Sequence, residues 1–251
     1  RLQITDYAAE GKSIGRHEEK VIFVKQAIPG DVVDVRITKK RSSYSEGDIL
    51  SLITPSPMRQ EAFCEHFGTC GGCKWQHLAY EKQLAFKEQQ VKDQLERIGK
   101  VDVSSCRPIL GSVSQKYYRN KLEFTFSNQR WLTKEQIDSG REFERDALGF
   151  HVPGRFDKIV HIKHCHLQKD PSNDIRNGLY EFAKEKDLSF FDLREQKGFL
   201  RNLNIRTSNT GDLLVMPVFF ENDRAAIEAV MHYLADTFPD ITSLQYMVNE
   251  K

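Results

Sequence analysis

Five cysteines occur in the 251-residue chain, and three of them crowd into one short segment: Cys64, Cys70 and Cys73. Thiols stay reduced in a cytoplasmic protein, so cysteines at this density indicate a metal centre rather than disulfide bonds. Gly68, Gly71 and Gly72 lie among them, and glycine allows the backbone to wrap tightly around a metal. The segment therefore predicts three ligands, with a fourth thiolate supplied from far along the chain.

Cys165 is the predicted fourth ligand, because it directly follows a predicted strand that could carry it back to the other three. Cys106 is predicted to be a bystander. Four cysteines suit either a [4Fe–4S] cluster or a structural zinc ion. A three-plus-one spacing favours iron–sulfur, since zinc sites prefer paired Cys-x-x-Cys, but spacing leaves both open. The nearby histidines are predicted to be surface or hydrogen-bonded residues rather than ligands: His66, His77, His161, His164 and His166.

The elements that must position these cysteines begin with short strands at residues 21–24, 31–37 and 48–53. Val33, Val35 and Ile37 alternate with charged residues, which predicts one buried face and a small β-barrel. Such barrels often bind nucleic acid. The cations predicted to contact phosphate are Arg36, Lys39, Lys40 and Arg41. A solvated hairpin tip is the alternative explanation of these four. Residues 54–57 predict a stiff linker, because they contain two prolines.

The remainder predicts an α+β domain with a mainly antiparallel sheet. Helical periodicity covers residues 78–98, with Tyr80, Leu84, Val91, Leu95 and Ile98 on one stripe that is predicted to be core. Strands are predicted at 121–126, 147–152 and 158–162, a hairpin at 203–218, and a strand starting at 244. Further helices are predicted at 172–187 and 224–237. The predicted divisions are a barrel at 1–57, a metal-cluster loop at 58–77 and an α+β domain at 78–251.

Composition excludes collagen-like and disordered chains, because 39% of residues are hydrophobic and 29% charged. No apolar run is long enough to cross a bilayer and the first residues lack an apolar signal core, which predicts a cytoplasmic protein, most simply a monomer, with no membrane partner. Residues 74–130 carry 11 Lys and Arg against 6 Asp and Glu, as expected of a face presented to a polyanion. Within them, residues 116–121 interleave cations with tyrosines, a combination that holds phosphates and stacks unpaired bases. A strand with a charged outer face and packed tyrosines is the alternative.

The cysteine segment, continued by Lys74-Trp75-Gln76-His77-Leu78, resembles the signature of ribosomal RNA uracil-5-methyltransferases that carry an iron–sulfur cluster. Residues 11–33 resemble that family's TRAM domain, an OB-like RNA-binding barrel. Residues 117–121, 148–151 and 200–207 are similar to its central domain. The resemblance implies that Cys64, Cys70, Cys73 and Cys165 bind a [4Fe–4S] cluster with a structural or RNA-binding role. It also implies that Tyr118, Arg119 and Lys121 face RNA, most simply 23S ribosomal RNA.

The family's chemistry, as the resemblance implies, uses a cysteine thiolate that adds to carbon 6 of uracil, S-adenosylmethionine as methyl donor, and a carboxylate base. The chain contains no Gly-x-Gly motif, and Cys106 does not stand in the family's nucleophile motif. We therefore expect it to be the front portion of such an enzyme, binding RNA and a cluster without catalysing methyl transfer, with the catalytic residues lying beyond Lys251. Two alternatives are a stand-alone RNA-binding module with a four-cysteine zinc site and an iron–sulfur electron carrier. No flavin or nicotinamide motif supports the electron carrier.

Overall fold

The computed structural model describes residues 1–250, which form two compact units. The first contains residues 1–68 and 73–113, and the second contains residues 69–72 and the chain from Ser114 onward. The predicted divisions at 57 and 77 stay a prediction. The long helix after the cysteine segment belongs to the same unit as the barrel. Tyr7 explains the grouping: its ring lies 4.7 Å from that of Trp75 and 4.9 Å from that of Phe86, centroid to centroid.

One prediction concerns the position of the catalytic residues relative to the last residue of the sequence. Lys251, beyond which the catalytic residues are predicted to lie, is outside the described residues. The described residues therefore do not test that expectation, and it stays a prediction.

The first unit is built on a closed five-stranded barrel with strand order β1-β2-β3-β5-β4, in which β4 also pairs with β1. The strands are β1 (Leu2–Tyr7), β2 (Ser13–His17), β3 (Lys20–Val24), β4 (Val32–Lys40) and β5 (Tyr44–Thr54). The predicted barrel is confirmed. The sequence analysis missed β1 and β2. For β2 the reason is that small residues line its inner face: Ser13 is fully buried, and a Cβ on Gly15 would lie 2.6 Å from the Leu2 side chain.

The barrel core contains Leu2, Ile4, Ile22, Val24, Ala27 and Val33. Val35 and Ile37 are partly buried against it, as the alternation of β4 predicted. Close approach of neighbouring strands demands glycine at Gly47, where a Cβ would lie 2.3 Å from Val35 Cγ1. The inner face of β4 is therefore apolar, and its outer face is left to charged residues.

The residues after β5 are tied to the barrel by a buried carboxylate. Asp31, fully buried, accepts hydrogen bonds from the backbone N–H groups of Ile28 (2.8 Å) and Ser56 (2.9 Å). The Arg59 guanidinium adds two more, from Nε (2.8 Å) and Nη2 (2.7 Å). Within the predicted linker, Ser56 is therefore buried and anchored, whereas Thr54, Pro55 and Pro57 are exposed.

Helix α1 (Tyr80–Arg97) follows, and the prediction that its apolar stripe forms core is wrong. No residue of α1 is buried, and Val91 and Ile98 remain 54% and 80% exposed. The helix is held at other points. Phe86 packs on Tyr7, and the Gln83 amide donates to the carbonyls of Trp75 and Leu78. Within the first unit, these contacts leave the far end of the stripe uncovered.

The second unit is a seven-stranded sheet with helices, which confirms the predicted α+β class. Its main strand order is β11-β10-β9-β6-β7-β8, and β12 also pairs with β10. The strands are β6 (Lys121–Ser127), β7 (Ala147–Val152), β8 (Arg155–His161), β9 (Leu200–Thr207), β10 (Leu213–Phe219), β11 (Ser243–Leu244) and β12 (Met247–Val248). Among the described strands of this sheet, only the short β11 and β12 run parallel to their partner, so the predicted mainly antiparallel sheet is confirmed.

Three helices accompany the sheet in the described part of the chain: α2 (Lys134–Asp138), α3 (Ser172–Glu185) and α4 (Arg224–Thr237). Helix α3 buries Ile175 and Leu179, and α4 buries Ile227, Val230 and Leu234. The rings of Phe182 on α3 and Tyr233 on α4 stack at 4.2 Å. Among residues 1–250, no helix combines the length and apolar character that a membrane span requires.

Candidate functional site

The hairpin between β4 and β5 carries a basic patch, which we call the hairpin patch. It consists of Arg36, Lys39, Lys40 and Arg41. The Arg41 N–H donates to the Tyr44 carbonyl at 2.8 Å and closes the turn. Lys39 lies 3.5 Å from Glu46, whereas the other three cations make no ion pair within residues 1–250. Three cations without an ion-pair partner on one hairpin can contact a phosphate backbone.

A second candidate surface is residues 117–121, which we call the Tyr–Arg segment. The backbone N–H groups of Tyr117 and Arg119 donate to the carbonyls of His166 and Leu167, both at 2.8 Å. Tyr118 is 55% exposed, and Arg119 and Lys121 are exposed beside it. The segment is therefore fixed by its backbone while three of its side chains face solvent.

The two tyrosines of this segment have different roles. The Tyr117 hydroxyl lies 3.2 Å from both His164 Nε2 and His166 Nδ1, and its ring packs against both imidazoles. The ring is thus engaged by the loop that contains Cys165. Of the two, Tyr118 is the one exposed enough to stack on a base.

Within residues 1–250, the five cysteines form no disulfide bond. Cys64, Cys70 and Cys73 are partly buried, Cys165 is buried, and Cys106 is exposed. Cys64 and Cys73 belong to the first unit, where burial raises the pKa of the Cys64 thiol. Cys70 belongs to the second unit, and its sulfur accepts a hydrogen bond from the Gly72 N–H at 3.3 Å.

Four cysteine thiols are a donor set that suits an iron–sulfur or zinc site. Within residues 1–250, no three His, Cys, Asp or Glu side chains are grouped in a way that could hold a metal ion. The predicted four-cysteine site accordingly stays a prediction, and no chemical step is derived through it.

Cys165 lies in a loop that α3 holds rigidly. Asn173 accepts from the Cys165 N–H at 2.8 Å and donates to its carbonyl at 3.3 Å. Arg176, 1% exposed, donates to the Ile162 and Lys163 carbonyls at 3.0 and 2.7 Å. Burial lowers the pKa of Arg176 to about 10, and the charge of Cys165 opposes that shift. Hydrogen bonds from two residues of α3 thus anchor the loop that carries Cys165.

Sequence reasoning missed Asn173 and Arg176. A signal was present, because both lie in the predicted helix on the face that also buries Ile175 and Leu179. A charged residue on an otherwise buried helical face must find partners there. In the structure these partners are the carbonyls of the Cys165 loop.

The histidines predicted not to be ligands differ in burial and in the residues that they contact. His77 is buried, and burial lowers its pKa to about 4, so it is neutral near pH 7. His161 accepts from the Leu148 N–H at 3.3 Å and packs on the Tyr180 ring at 4.4 Å. His66 lies 3.5 Å from Glu65.

The first comparison that bears on these surfaces concerns the barrel. Residues 1–50 match the TRAM domain family. The TRAM barrel accordingly carries the hairpin patch.

Relatives cover the whole chain. An uncharacterized RNA methyltransferase of Porphyromonas gingivalis is 50% identical over 256 residues, which span 100% of this chain and 55% of the relative. One of Bacteroides thetaiotaomicron is 47% identical over 248 residues, 97% of this chain and 55% of that protein. The chain thus spans about half the length of the curated relatives it matches. The expectation that this chain does not itself catalyse draws no support from these relatives and stays a prediction.

A solved structure has the same fold. The crystal structure of Pyrococcus abyssi tRNA (uracil-54, C5)-methyltransferase in complex with S-adenosyl-L-homocysteine matches with a TM-score of 0.67 and 23% identity. The match covers 100% of this chain and 52% of that one. The barrel followed by an α+β sheet unit is therefore a fold seen in a solved protein.

Proposed function

We propose that this chain is the RNA-recognition part of an S-adenosylmethionine-dependent RNA methyltransferase that modifies carbon 5 of uracil, with 23S ribosomal RNA as its target. The observation that carries the proposal is the match of residues 1–50 to the TRAM domain, together with exposed cations on that barrel. The relatives that cover the whole chain bear the name RNA methyltransferase. The protein with the similar fold bears the name of a uracil C5 enzyme.

In this proposal the two candidate surfaces divide the work of recognition. The hairpin patch supplies phosphate contacts that do not depend on sequence. Tyr118 supplies a ring on which an unpaired base stacks, and Arg119 and Lys121 hold the adjacent phosphates. An exposed tyrosine flanked by cations suits single-stranded RNA better than a duplex, whose bases are already stacked.

The proposal includes a [4Fe–4S] cluster held by Cys64, Cys70, Cys73 and Cys165. Its support is the three-plus-one spacing and, within the described residues, the absence of a disulfide bond among these four cysteines. When bound, such a cluster would cross-link distant parts of the chain and take no part in methyl transfer. The chain's own contribution would be the thiolates and the Asn173–Arg176 scaffold around Cys165.

A stand-alone RNA-binding module with a four-cysteine zinc site is the second candidate, because the chain's thiols and the TRAM match would suit it equally. Metal analysis of protein purified without oxygen separates the two. The proposal expects iron and acid-labile sulfide in equal amounts and a brown protein. A colourless protein containing zinc would support the second candidate instead.

Two assays test the function itself. Binding of fluorescent 23S ribosomal RNA fragments is expected, with an affinity that falls steeply as salt is raised. Incubation with the same RNA and radiolabelled S-adenosylmethionine is expected to transfer no label, because the Gly-x-Gly cofactor signature does not occur in residues 1–251. RNA binding that is absent even at low salt would refute the recognition role. Label in the RNA would refute the expectation that the catalytic residues lie beyond Lys251. A cytoplasmic location is part of the proposal, since that is where ribosomal RNA is modified.

A further inference from the structure

Helix α1 turns a polar face toward its own barrel, which is unusual for a packed helix. Asp93 and Arg97, like Gln90 and Gln94, are four residues apart and so lie along one side of α1. They face Asp6 and Tyr7 of β1 across a cavity of about 210 Å³, which we call the α1 cleft. A helix that only packs on a barrel would place apolar residues at these positions. The polar lining therefore suggests a ligand.

The hydrogen-bonding groups of the α1 cleft are only partly used by the protein. The Asp93 carboxylate accepts from the Gln89 amide at 2.9 Å through Oδ1, and Arg97 Nη2 lies 3.7 Å from the same oxygen. Its other oxygen has no partner within residues 1–250. The side-chain amides of Gln90 and Gln94 likewise make no hydrogen bond there. The cleft thus offers a carboxylate acceptor beside amides that donate and accept.

Aromatic rings form the wall next to these groups. Tyr7 and Phe86 both line the cleft, in edge-to-face contact at 4.9 Å. A flat heterocycle can pack on such a wall while its edge reaches the polar groups. Arg97 is 78% exposed at its side chain, where it can contact an adjoining phosphate.

Among nucleobases, guanine fits this combination best. Its Watson–Crick edge presents two N–H donors next to one carbonyl acceptor. The Asp93 carboxylate can accept from both donors, one at its unpartnered oxygen and one at Oδ1, which has a second lone pair besides the one that accepts from Gln89. An amide N–H can donate to the carbonyl. Adenine, uracil and cytosine each present a different order of donors and acceptors, so the Asp93 carboxylate would face an acceptor or lose one of its two hydrogen bonds.

We propose that the α1 cleft binds an unpaired guanine of the RNA that the TRAM barrel recognises. This inference rests on the proposed RNA-binding function and adds to it a base-specific subsite. Phosphate contacts from the hairpin patch would then supply affinity, and the cleft would supply sequence preference.

The test is fluorescence anisotropy with three short oligouridine probes: one carrying a single guanosine, one carrying inosine in its place, and one of uridine alone. The intact chain should bind the guanosine probe most tightly. Asp93→Asn should weaken that probe about ten-fold, since a bidentate base contact contributes about 1–3 kcal/mol. It should leave the uridine probe unchanged or slightly tighter, because it removes a negative charge. Inosine lacks the 2-amino group and should bind with intermediate affinity.

Glu96→Gln is the matched control, because it removes one carboxylate from the same helix at an exposed position that does not line the cleft. It should bind all three probes like the intact chain, and thermal melting of both variants checks folding. Gln94→Leu is a second variant expected to weaken the guanosine probe alone. If the intact chain binds every probe equally, or if Asp93→Asn matches Glu96→Gln, the subsite is refuted while RNA binding stands. If no probe binds at low salt, the proposed function fails as well.

Discussion

Replacing Asp31 should destabilise the first unit severely, although the residue belongs to neither candidate RNA surface. Asp31→Ala removes the acceptor of two backbone N–H groups, those of Ile28 and Ser56, and both residues are buried. Each unsatisfied buried donor costs about 1–3 kcal/mol. The same change leaves Arg59 without its bidentate partner, and breaking a buried ion pair from one side costs about 3–5 kcal/mol.

The costs of the unsatisfied N–H groups and of the broken ion pair are not independent, because both come from the loss of the same carboxylate. The Arg59 side chain is also 21% exposed, so water can partly solvate it. We therefore expect a loss of about 3 kcal/mol in the free energy of unfolding. The measurement is urea denaturation followed by fluorescence of Trp75, which packs on Tyr7 of the same unit. A Trp131→Phe background removes the signal of the second unit.

Asp34→Ala is the control, because Asp34 pairs with Arg1 at 3.2 Å on the surface of the same barrel. Exposed ion pairs add little stability, so this variant should melt like the parent. A destabilisation by Asp31→Ala of less than about 1 kcal/mol would refute the assigned role of the buried carboxylate.

The same carboxylate should make the first unit sensitive to acid. Burial would raise the pKa of Asp31, but the Arg59 hydrogen bonds and the two backbone N–H groups outweigh it and hold the pKa below the ordinary value of 3.8. A group whose folded pKa is depressed contributes stability above its unfolded pKa and loses it as pH falls through the folded value. Stability should therefore decline below about pH 4 in the parent, and less steeply in Asp31→Ala.

Three further predictions concern function. Neutralising the whole hairpin patch should reduce the slope of log affinity against log salt by about 2–3, since three of its four cations are unpaired and each phosphate contact contributes about 0.7–0.9. An unchanged slope would place the phosphate contacts elsewhere. Arg119→Ala should weaken RNA binding without lowering the melting temperature, because the residue is exposed and its anchoring hydrogen bond uses the backbone. Unaltered affinity would remove the Tyr–Arg segment from the RNA surface. Cys165→Ser should lose the iron of anaerobically purified protein, whereas Cys106→Ser should keep it. Iron retained by Cys165→Ser and lost by Cys106→Ser would reverse the ligand assignment.

Local alternation made most of the sheet predictable. The pattern of β4 and of Lys121–Ser127 reports directly which side chains face the core, so both strands were found. Alternation of apolar and polar residues does not predict β2, because its inward-facing residues are Ser13 and Gly15. The close approach of the neighbouring strand requires small residues at these positions. The sequence of β2 alone does not show which strand lies beside it.

Helix α1 shows the opposite failure. Its periodicity correctly predicted a helix, but an apolar stripe in a sequence does not show whether another element packs against it. The barrel meets Phe86 and the polar side of the helix, so the apolar stripe is left largely exposed. Ion pairs between distant residues were not predictable either. Asp31 and Arg59 are 28 residues apart, and nothing in the sequence around one of them identifies the other as its partner.

The candidate site was predictable in part, for a similar reason. Exposed cations at a hairpin and beside a tyrosine can be recognised from residue types alone, and the structure leaves Tyr118 exposed as that reasoning requires. The engagement of Tyr117 by two histidines depends on a loop nearly 50 residues away. The same is true of the α1 cleft, which exists only where α1 and β1 meet.

Photo-crosslinking tests the central claim of RNA recognition most directly. A 23S ribosomal RNA fragment containing 4-thiouridine would be bound, irradiated and digested, and the crosslinked peptides identified by mass spectrometry. Crosslinks are expected in the hairpin patch and in the Tyr–Arg segment, and they should fade as salt is raised. Crosslinks confined to other surfaces, or none under conditions in which the RNA is bound, would contradict the account.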